Sequence, residues 1–413
     1  MNVAVRLPNW LGDTVMAVPT LAAVRAAWPD ARVAAAGPWA TLLAGQGLAD
    51  VLVDYPRTWS GRLRAADVVS RFGPDLALVL PNSFESALAA WYWGARRRVG
   101  YRGGARAELL TDAVPAAARG HQIDDYLALA ERAGAPAATR EPRLTPPAAD
   151  APERAEARRL LDAAGAPPRG ASLRVGIQLG AAYGPAKLWP VERVVEFCRL
   201  LVARGATPIL LGTAADDATA TRITSAVPVA SLVGRDRPAL LTAVLTEIDA
   251  LVSGDTGVGH LAAALGTPAV TLFGPTDPAL SAPRGRVAVL THPVPCAPCF
   301  YRACPIEHPC LRGIEPAAVY DQTLRLLEAR VVEERPGSAG ASRTLSGAGG
   351  HFGAPEGERA TEGRHGSAGA SRTWGGVGGH LGARGRVVEE RHGSAGALRG
   401  LGGVGGHLGA PHV

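Results

Sequence analysis

Lysine is all but missing from this chain. Of 43 basic residues among 413, only Lys187 is not an arginine. Either chance spared it, or its place asks for a compact, flexible ammonium rather than a planar fork. No apolar run reaches membrane-spanning length, so no transmembrane segment is expected. The N-terminus lacks the long apolar core of a signal peptide, being interrupted by Arg6, Pro8, Asn9 and Asp13, and a cytosolic protein is expected. No Asp-x-Asp pair occurs, so the clustered carboxylates that would grip a diphosphate through Mg²⁺ or Mn²⁺ are missing. A net charge of +6, evenly spread, does not make the concentrated basic face of a nucleic-acid binder. Cysteine is scarce, and four of the five, Cys296, Cys299, Cys304 and Cys310, share one stretch with His308. In a cytosolic chain that clustering favours a metal or a redox pair over structural disulfides. The C-x2-C-x4-C-x5-C spacing departs from the paired zinc pattern, so reduced surface thiols are the stronger expectation and no metal is assigned.

What is present is organised around residues 248–275. An apolar run at 248–252 leads into Ser253-Gly254-Asp255-Thr256-Gly257-Val258-Gly259-His260. An Ala/Leu stretch at 261–265 and a second apolar run at 269–273 come next. The pattern reads as buried strand, loop, short helix, buried strand. Glycines let a backbone approach a ligand, and a helix N-terminus offers free N–H groups to an anion, so the turn is a candidate diphosphate cradle. A well-capped turn without a ligand is the competing reading.

The rest of the chain keeps the same rhythm. Strands are expected at 3–7, 33–36, 51–53 and 76–80, and helices at 14–28, 83–93 and 124–133. After a Pro/Ala-rich linker beginning at 135, and a helix at 153–164, strands recur at 173–177, 207–211, 248–252, 269–273 and 287–290. Helices alternate with them at 191–203, 216–225, 238–246 and 315–330. Alternation of this kind means two open, mostly parallel sheets, with ligands past the carboxyl ends of the strands. The expected division is 1–165, 166–330 and a tail at 331–413. That tail holds 24 of the 51 glycines and repeats the motif of 337–344 at 366–373 without an apolar stripe, so disorder is expected there.

Three further features bear on chemistry. Asp13 follows the first strand and a glycine, where it can act as a general base; a helix N-cap is the alternative. Lys187 lies in the loop 178–190 after the first strand of the second half, where an ammonium can meet the anion held by the turn at 255–260. Arg96, Arg97, Arg98, Arg102 and Arg106 fall within eleven residues that hold no acid.

At four stretches the chain resembles glycosyltransferase family 9, the bacterial ADP-heptose:lipopolysaccharide heptosyltransferases. They are Asn9-Trp10-Leu11-Gly12-Asp13, residues 80–88 with 99–103, residues 180–190, and Asp255-Thr256-Gly257-Val258-Gly259-His260. The resemblance spans residues 1 to 330. It implies an α/β GT-B architecture, two Rossmann-like domains facing across a cleft. It also implies an inverting, metal-independent transfer of heptose from ADP-heptose to the lipid A inner core, without a cofactor, by a protein on the cytoplasmic side of the membrane. By resemblance Asp13 is the catalytic base, Lys187 meets the donor phosphates, and Asp255, Thr256, Gly257 and His260 form the donor turn. Asn9, Asn82, Arg98 and Arg102 are assigned to the acceptor. Val258 and Gly259 stand where bulkier residues are common. Other GT-B transferases, or a nucleotide-sugar binder without catalysis, are the rival readings.

Overall fold

The structure, a computed structural model, describes residues 1–56, 58–116 and 120–333. The tail expected to be disordered lies, from 334 on, outside the described residues. Strand β1 (Asn2–Arg6) is followed by α1 (Leu11–Met16), α2 (Val18–Ala27), β2 (Arg32–Gly37), β3 (Val51–Asp54), α3 (Trp59–Phe72), β4 (Leu76–Val79), α4 (Phe84–Tyr92), β5 (Arg97–Tyr101), β6 (Asp112–Val114) and α5 (Gln122–Ala133). After α6 (Pro152–Ala163) come β7 (Arg174–Gln178), α7 (Val191–Ala203), β8 (Thr207–Leu211), α8 (Asp217–Thr224), β9 (Ala230–Ser231), α9 (Pro238–Glu247) and β10 (Ala250–Gly254). The described chain closes with α10 (Gly257–Ala264), β11 (Ala269–Phe273), α11 (Pro278–Ser281), β12 (Val287–Thr291), α12 (Pro309–Arg312) and α13 (Pro316–Glu333).

The strands form two parallel sheets with orders β3-β2-β1-β4-β5-β6 and β12-β11-β10-β7-β8-β9. Each is doubly wound, so the strand order reverses between β1 and β4 in one and between β7 and β10 in the other. Central strand segments at 3–5 and 250–252 are buried on both faces, which is why they read as unbroken apolar runs. At such reversal points the flanking loops part and leave a crevice at the carboxyl edge.

The chain passes once from the first sheet to the second, between α5 and α6. Adjacent residues of this crossing are tied to opposite sides. Leu144 N–H donates to the Ala264 carbonyl at 2.8 Å, while Thr145 N–H donates to Gln46 Oε1 at 2.7 Å. Helix α6 packs on α9, where Arg154 and Arg158 both hold the buried Glu247 at 2.6 and 2.9 Å.

The elements depart from the sequence reading in several places, and the short β6, β9, α11 and α12 are not among those expected. The helix expected at 14–28 begins at Leu11 and breaks at Ala17, ahead of Pro19, because proline fits the first turn of a new helix and not the interior of a longer one. Helix α3 buries only Gly61, Ala65, Ala66 and Val69, a stripe of small residues that leaves little apolar periodicity to read. Strand β5 begins with Arg97 and Arg98, whose charges mask a strand pattern. Helix α10 begins at Gly257, four residues earlier than expected, so half of the small polar turn is helical.

Candidate active site

The loops after β1, β7 and β10 converge on one cavity of about 680 Å³. Asp13, Lys187, Asp255, Thr256, Gly257 and His260 all line it. The convergence depends on backbone contact between α1 and α10. A Cβ added at Gly257 would lie 2.7 Å from Gly12 N, and one at Gly12 would lie 3.0 Å from His260 Cδ2. Only residues without side chains bring the two helix starts so close.

Asp13 stands in the first turn of α1, not at its N-cap, which is Trp10, and no side chain caps that helix. Burial raises its pKa to about 6, with the neighbouring Asp255 adding to the rise and Lys187 opposing it. The capping reading is thereby set aside.

Lys187 closes a single 3₁₀ turn, Pro185–Lys187. Its Nζ lies 2.5 Å from Asp255 Oδ2 and 4.5 Å from the Tyr183 ring centroid. Thr276 Oγ1, just past β11, donates to the same Asp255 oxygen at 2.7 Å. Tyr183 is fixed in turn by a 2.5 Å bond from its hydroxyl to the Phe300 carbonyl. A buried carboxylate thus aims the ammonium, and an aromatic face covers it.

His260 is buried on α10, and burial lowers its pKa to about 4, with Asp255 opposing the fall. It is therefore neutral near pH 7 and bonded to the Ser281 backbone. The Thr256 hydroxyl is engaged with Ser253 Oγ at 2.7 Å and does not cap α10, so the start of that helix has no side-chain cap. The far end of the cavity is lined by Gly212, Thr213, Asp216, Leu232, Leu241 and Val244. There the Asp216 carboxylate accepts from Thr213 N–H at 2.8 Å and fills the space beside Gly180 and Gly212.

The residues assigned to the acceptor fare differently. Asn9, Asn82 and Arg102 follow β1, β4 and β5, three neighbouring strands, and are exposed on the carboxyl edge of the first sheet outside the cavity lining. Arg98 does not join them at that edge. It sits at the amino end of β5, where Nε and Nη1 each donate at 2.6 Å to the carbonyls of Leu109 and Ala95. Arg96 and Arg97 are likewise held at that end by Asp75 and Asp112. A strand carries its residues from one edge to the other, so arginines close in sequence serve opposite ends. Buried Arg106 instead reaches the carbonyls of Pro81 and Tyr101 and shapes the edge.

Sequence reasoning did not single out Thr276, Ser281 or Asp216. Gly274-Pro275 ahead of Thr276 marks a strand end, and that was the available signal. In the cysteine stretch, Cys310 is buried, Cys296 is exposed and His308 N–H donates to Cys304 Sγ at 3.2 Å. Among the described residues no group of three or more His, Cys, Asp or Glu side chains is disposed to hold a metal ion.

The family model described as glycosyltransferase family 9 (heptosyltransferase) matches residues 68–309. Lipopolysaccharide heptosyltransferase 2 of Salmonella typhimurium is 28% identical over 306 residues, covering 70% of this chain and 87% of that one. The structure of E. coli ADP-heptose LPS heptosyltransferase II superposes with a TM-score of 0.66 at 25% identity, covering 80% of this chain and all of the other. An E. coli heptosyltransferase solved with ADP shares the fold, with a TM-score of 0.60 at 18% identity over 79% of this chain and 100% of that one.

Proposed function

The chain belongs to glycosyltransferase family 9, the heptosyltransferases, and from that premise we propose that it transfers heptose from ADP-heptose onto the first heptose of the lipopolysaccharide inner core. The observation that carries the reading is the meeting of Gly12 with Gly257, which puts Asp13 in one cavity with Lys187 and the start of α10.

In this reading the loops 178–187 and 255–257 take the donor diphosphate. Lys187 and the uncapped start of α10 supply the countercharge, and the cavity end between Leu232, Leu241 and Asp216 takes the nucleoside. The phosphates compete with Asp255 for the ammonium. No divalent ion is needed, since the sequence offers no Asp-x-Asp pair to hold one on the diphosphate.

Asp13 removes the proton from an acceptor hydroxyl. That oxygen bonds to the anomeric carbon on the face opposite ADP, and the carbon–oxygen bond to the diphosphate breaks with its electron pair leaving on ADP. The configuration inverts. A carboxylate titrating near 6 is mostly ionised at pH 7 yet more basic than an ordinary one, which suits general-base work. Preset donors at the leaving group are worth about 3 kcal/mol each. Asn9, Asn82 and Arg102 face the acceptor from the first sheet. By this reading 1–165 receives the acceptor, 166–330 holds the donor, and the protein works at the cytoplasmic face of the membrane.

The test is ADP release from ADP-heptose with singly heptosylated and unheptosylated acceptors side by side. Release with the singly heptosylated acceptor alone is expected. Release with the other alone makes the enzyme one that adds the first heptose, and release with neither removes the reading.

A further inference from the structure

Helices α3 and α4 cover one face of the first sheet and share a core cluster of small residues and Trp93. Helix α4 is turned inside out. Its inward positions are Ser86, Ala87, Ala89 and Ala90, while its large apolar residues point away from the core. Phe84, Leu88, Trp91 and Tyr92 recur at helical spacing on the outer face, with Phe84 and Trp91 more than half exposed at 52% and 53%. Helix α3 adds Trp59, 70% exposed, and Leu63 one turn on. One turn further, Asp67 accepts from the Tyr92 hydroxyl at 2.6 Å, so this stripe of α3 runs beside α4. Six large apolar side chains thus form one patch on a fold that has no internal use for them.

Basic side chains outnumber acidic ones around the patch, where Asp67 carries the opposing charge. Asp67 is engaged by Tyr92, and Glu85 turns inward to Arg6 at 3.6 Å. Arg62, Arg64 and Arg71 have no carboxylate in ion-pair reach among the described residues, and Arg62 lies 5.9 Å over the Trp59 ring. Tryptophan and tyrosine interleaved with arginine suit the boundary between lipid headgroups and acyl chains. Both helices also start at the carboxyl edge of the sheet, the edge that carries Asn9 and Asn82.

We propose that the outer face of α3 and α4 is a docking surface for a lipid bilayer bearing anionic headgroups, seating the acceptor side of the cleft on the membrane. The aromatic and leucine side chains enter the headgroup region, and Arg62, Arg64 and Arg71 meet lipid phosphates. The proposal deepens the reading of a lipid-anchored acceptor and rests on it for its purpose, but its test does not pass through catalysis.

The full chain is floated with vesicles of phosphatidylethanolamine and phosphatidylglycerol, and with vesicles of phosphatidylcholine alone. Recovery with the anionic vesicles is expected. It should fall about tenfold in a Trp59→Ser, Leu63→Ser, Phe84→Ser, Leu88→Ser variant, and the preference for anionic lipid should fade in Arg64→Glu, Arg71→Glu. Transfer to a deacylated, water-soluble acceptor should stay within about twofold of wild type in both, because none of these residues lines the cavity. Equal flotation of wild type and the serine variant overturns the proposal. So does a concentration-dependent dimer that those substitutions abolish, which assigns the patch to a second copy. A wild type that floats but transfers heptose to no acceptor leaves the docking surface standing and removes the enzymatic reading.

Discussion

Gly12 and Gly257 touch backbone to backbone, with a Cβ at Gly257 lying 2.7 Å from Gly12 N and 2.8 Å from Leu11 Cβ. Gly257→Ala must therefore push α1 and α10 apart. Overpacking of this kind costs about 1–3 kcal/mol. The expected outcome is a kcat lowered more than about tenfold, because the carboxylate on one helix moves from the anion site on the other. Steady-state kinetics with a thermal melt checks it. A kcat unchanged in a folded variant detaches the contact from catalysis.

Asp13→Asn should abolish transfer while leaving ADP-heptose affinity nearly intact. It should also make the protein more stable at pH 7. The folded pKa of about 6 lies above the ordinary value of 3.8, so the native state binds the proton more readily between those values. Stability is lost as pH rises through that window, and the penalty is complete above 6. Asparagine removes it, for a gain on the order of 1–3 kcal/mol. Urea melts at pH 7 and titration calorimetry test the two halves separately.

The pH profile of kcat/KM should show an acid limb near 6 that drops about tenfold per unit below it, because only the carboxylate form of Asp13 accepts a proton. His260 contributes to stability with the opposite sign. Its folded pKa of about 4 lies below 6.5, so the unfolded chain binds the proton first and stability is lost as pH falls from 6.5 to 4. His260→Gln should flatten the stability curve in that window. A stability curve left unchanged by the substitution would show that the burial of His260 is not felt.

Lys187→Ala leaves Asp255 buried with the Thr276 hydroxyl as its one side-chain partner among the described residues. The loss of stability should fall at the lower end of the roughly 3–5 kcal/mol typical of breaking a buried pair. Donor affinity should fall with it. Lys187→Arg should not restore turnover, since a longer planar fork paired with Asp255 carries its charge to a different place from the compact ammonium. Full recovery in the arginine variant would mean that charge alone suffices.

Arg98 and Arg102, close in sequence, should separate in their effects. Arg102→Glu should raise the acceptor KM and leave the donor KM alone. Arg98→Ala should move neither, but should lower stability by about 1–2 kcal/mol through the carbonyls of Ala95 and Leu109 that it leaves behind. A shift in the donor KM alone would withdraw Arg102 from the acceptor.

Much of this site was legible because its residues sit at strand ends. The apolar runs at 248–252 and 269–273 mark two adjacent buried strands, and the polar residues just past the first of them must lie at a sheet edge. Lys187 stood out because every other basic residue among the lysines and arginines is an arginine. Pairings across distant segments were not legible. Nothing in the sequence ties Thr276 to Asp255, and a run of arginines does not reveal that a strand carries Arg98 to one end of the sheet and Arg102 to the other. The helical start at Gly257 was hidden because glycine argues against a helix locally, while contact with Gly12 requires it there.

The crossing between the sheets has a mechanical consequence. Leu144 is fastened to one lobe and Thr145 to the other, with prolines at 142, 146 and 147 denying slack on either flank. A swing of one lobe against the other would therefore pull on both bonds of that dipeptide at once, so the crossing acts as a short tether between the lobes.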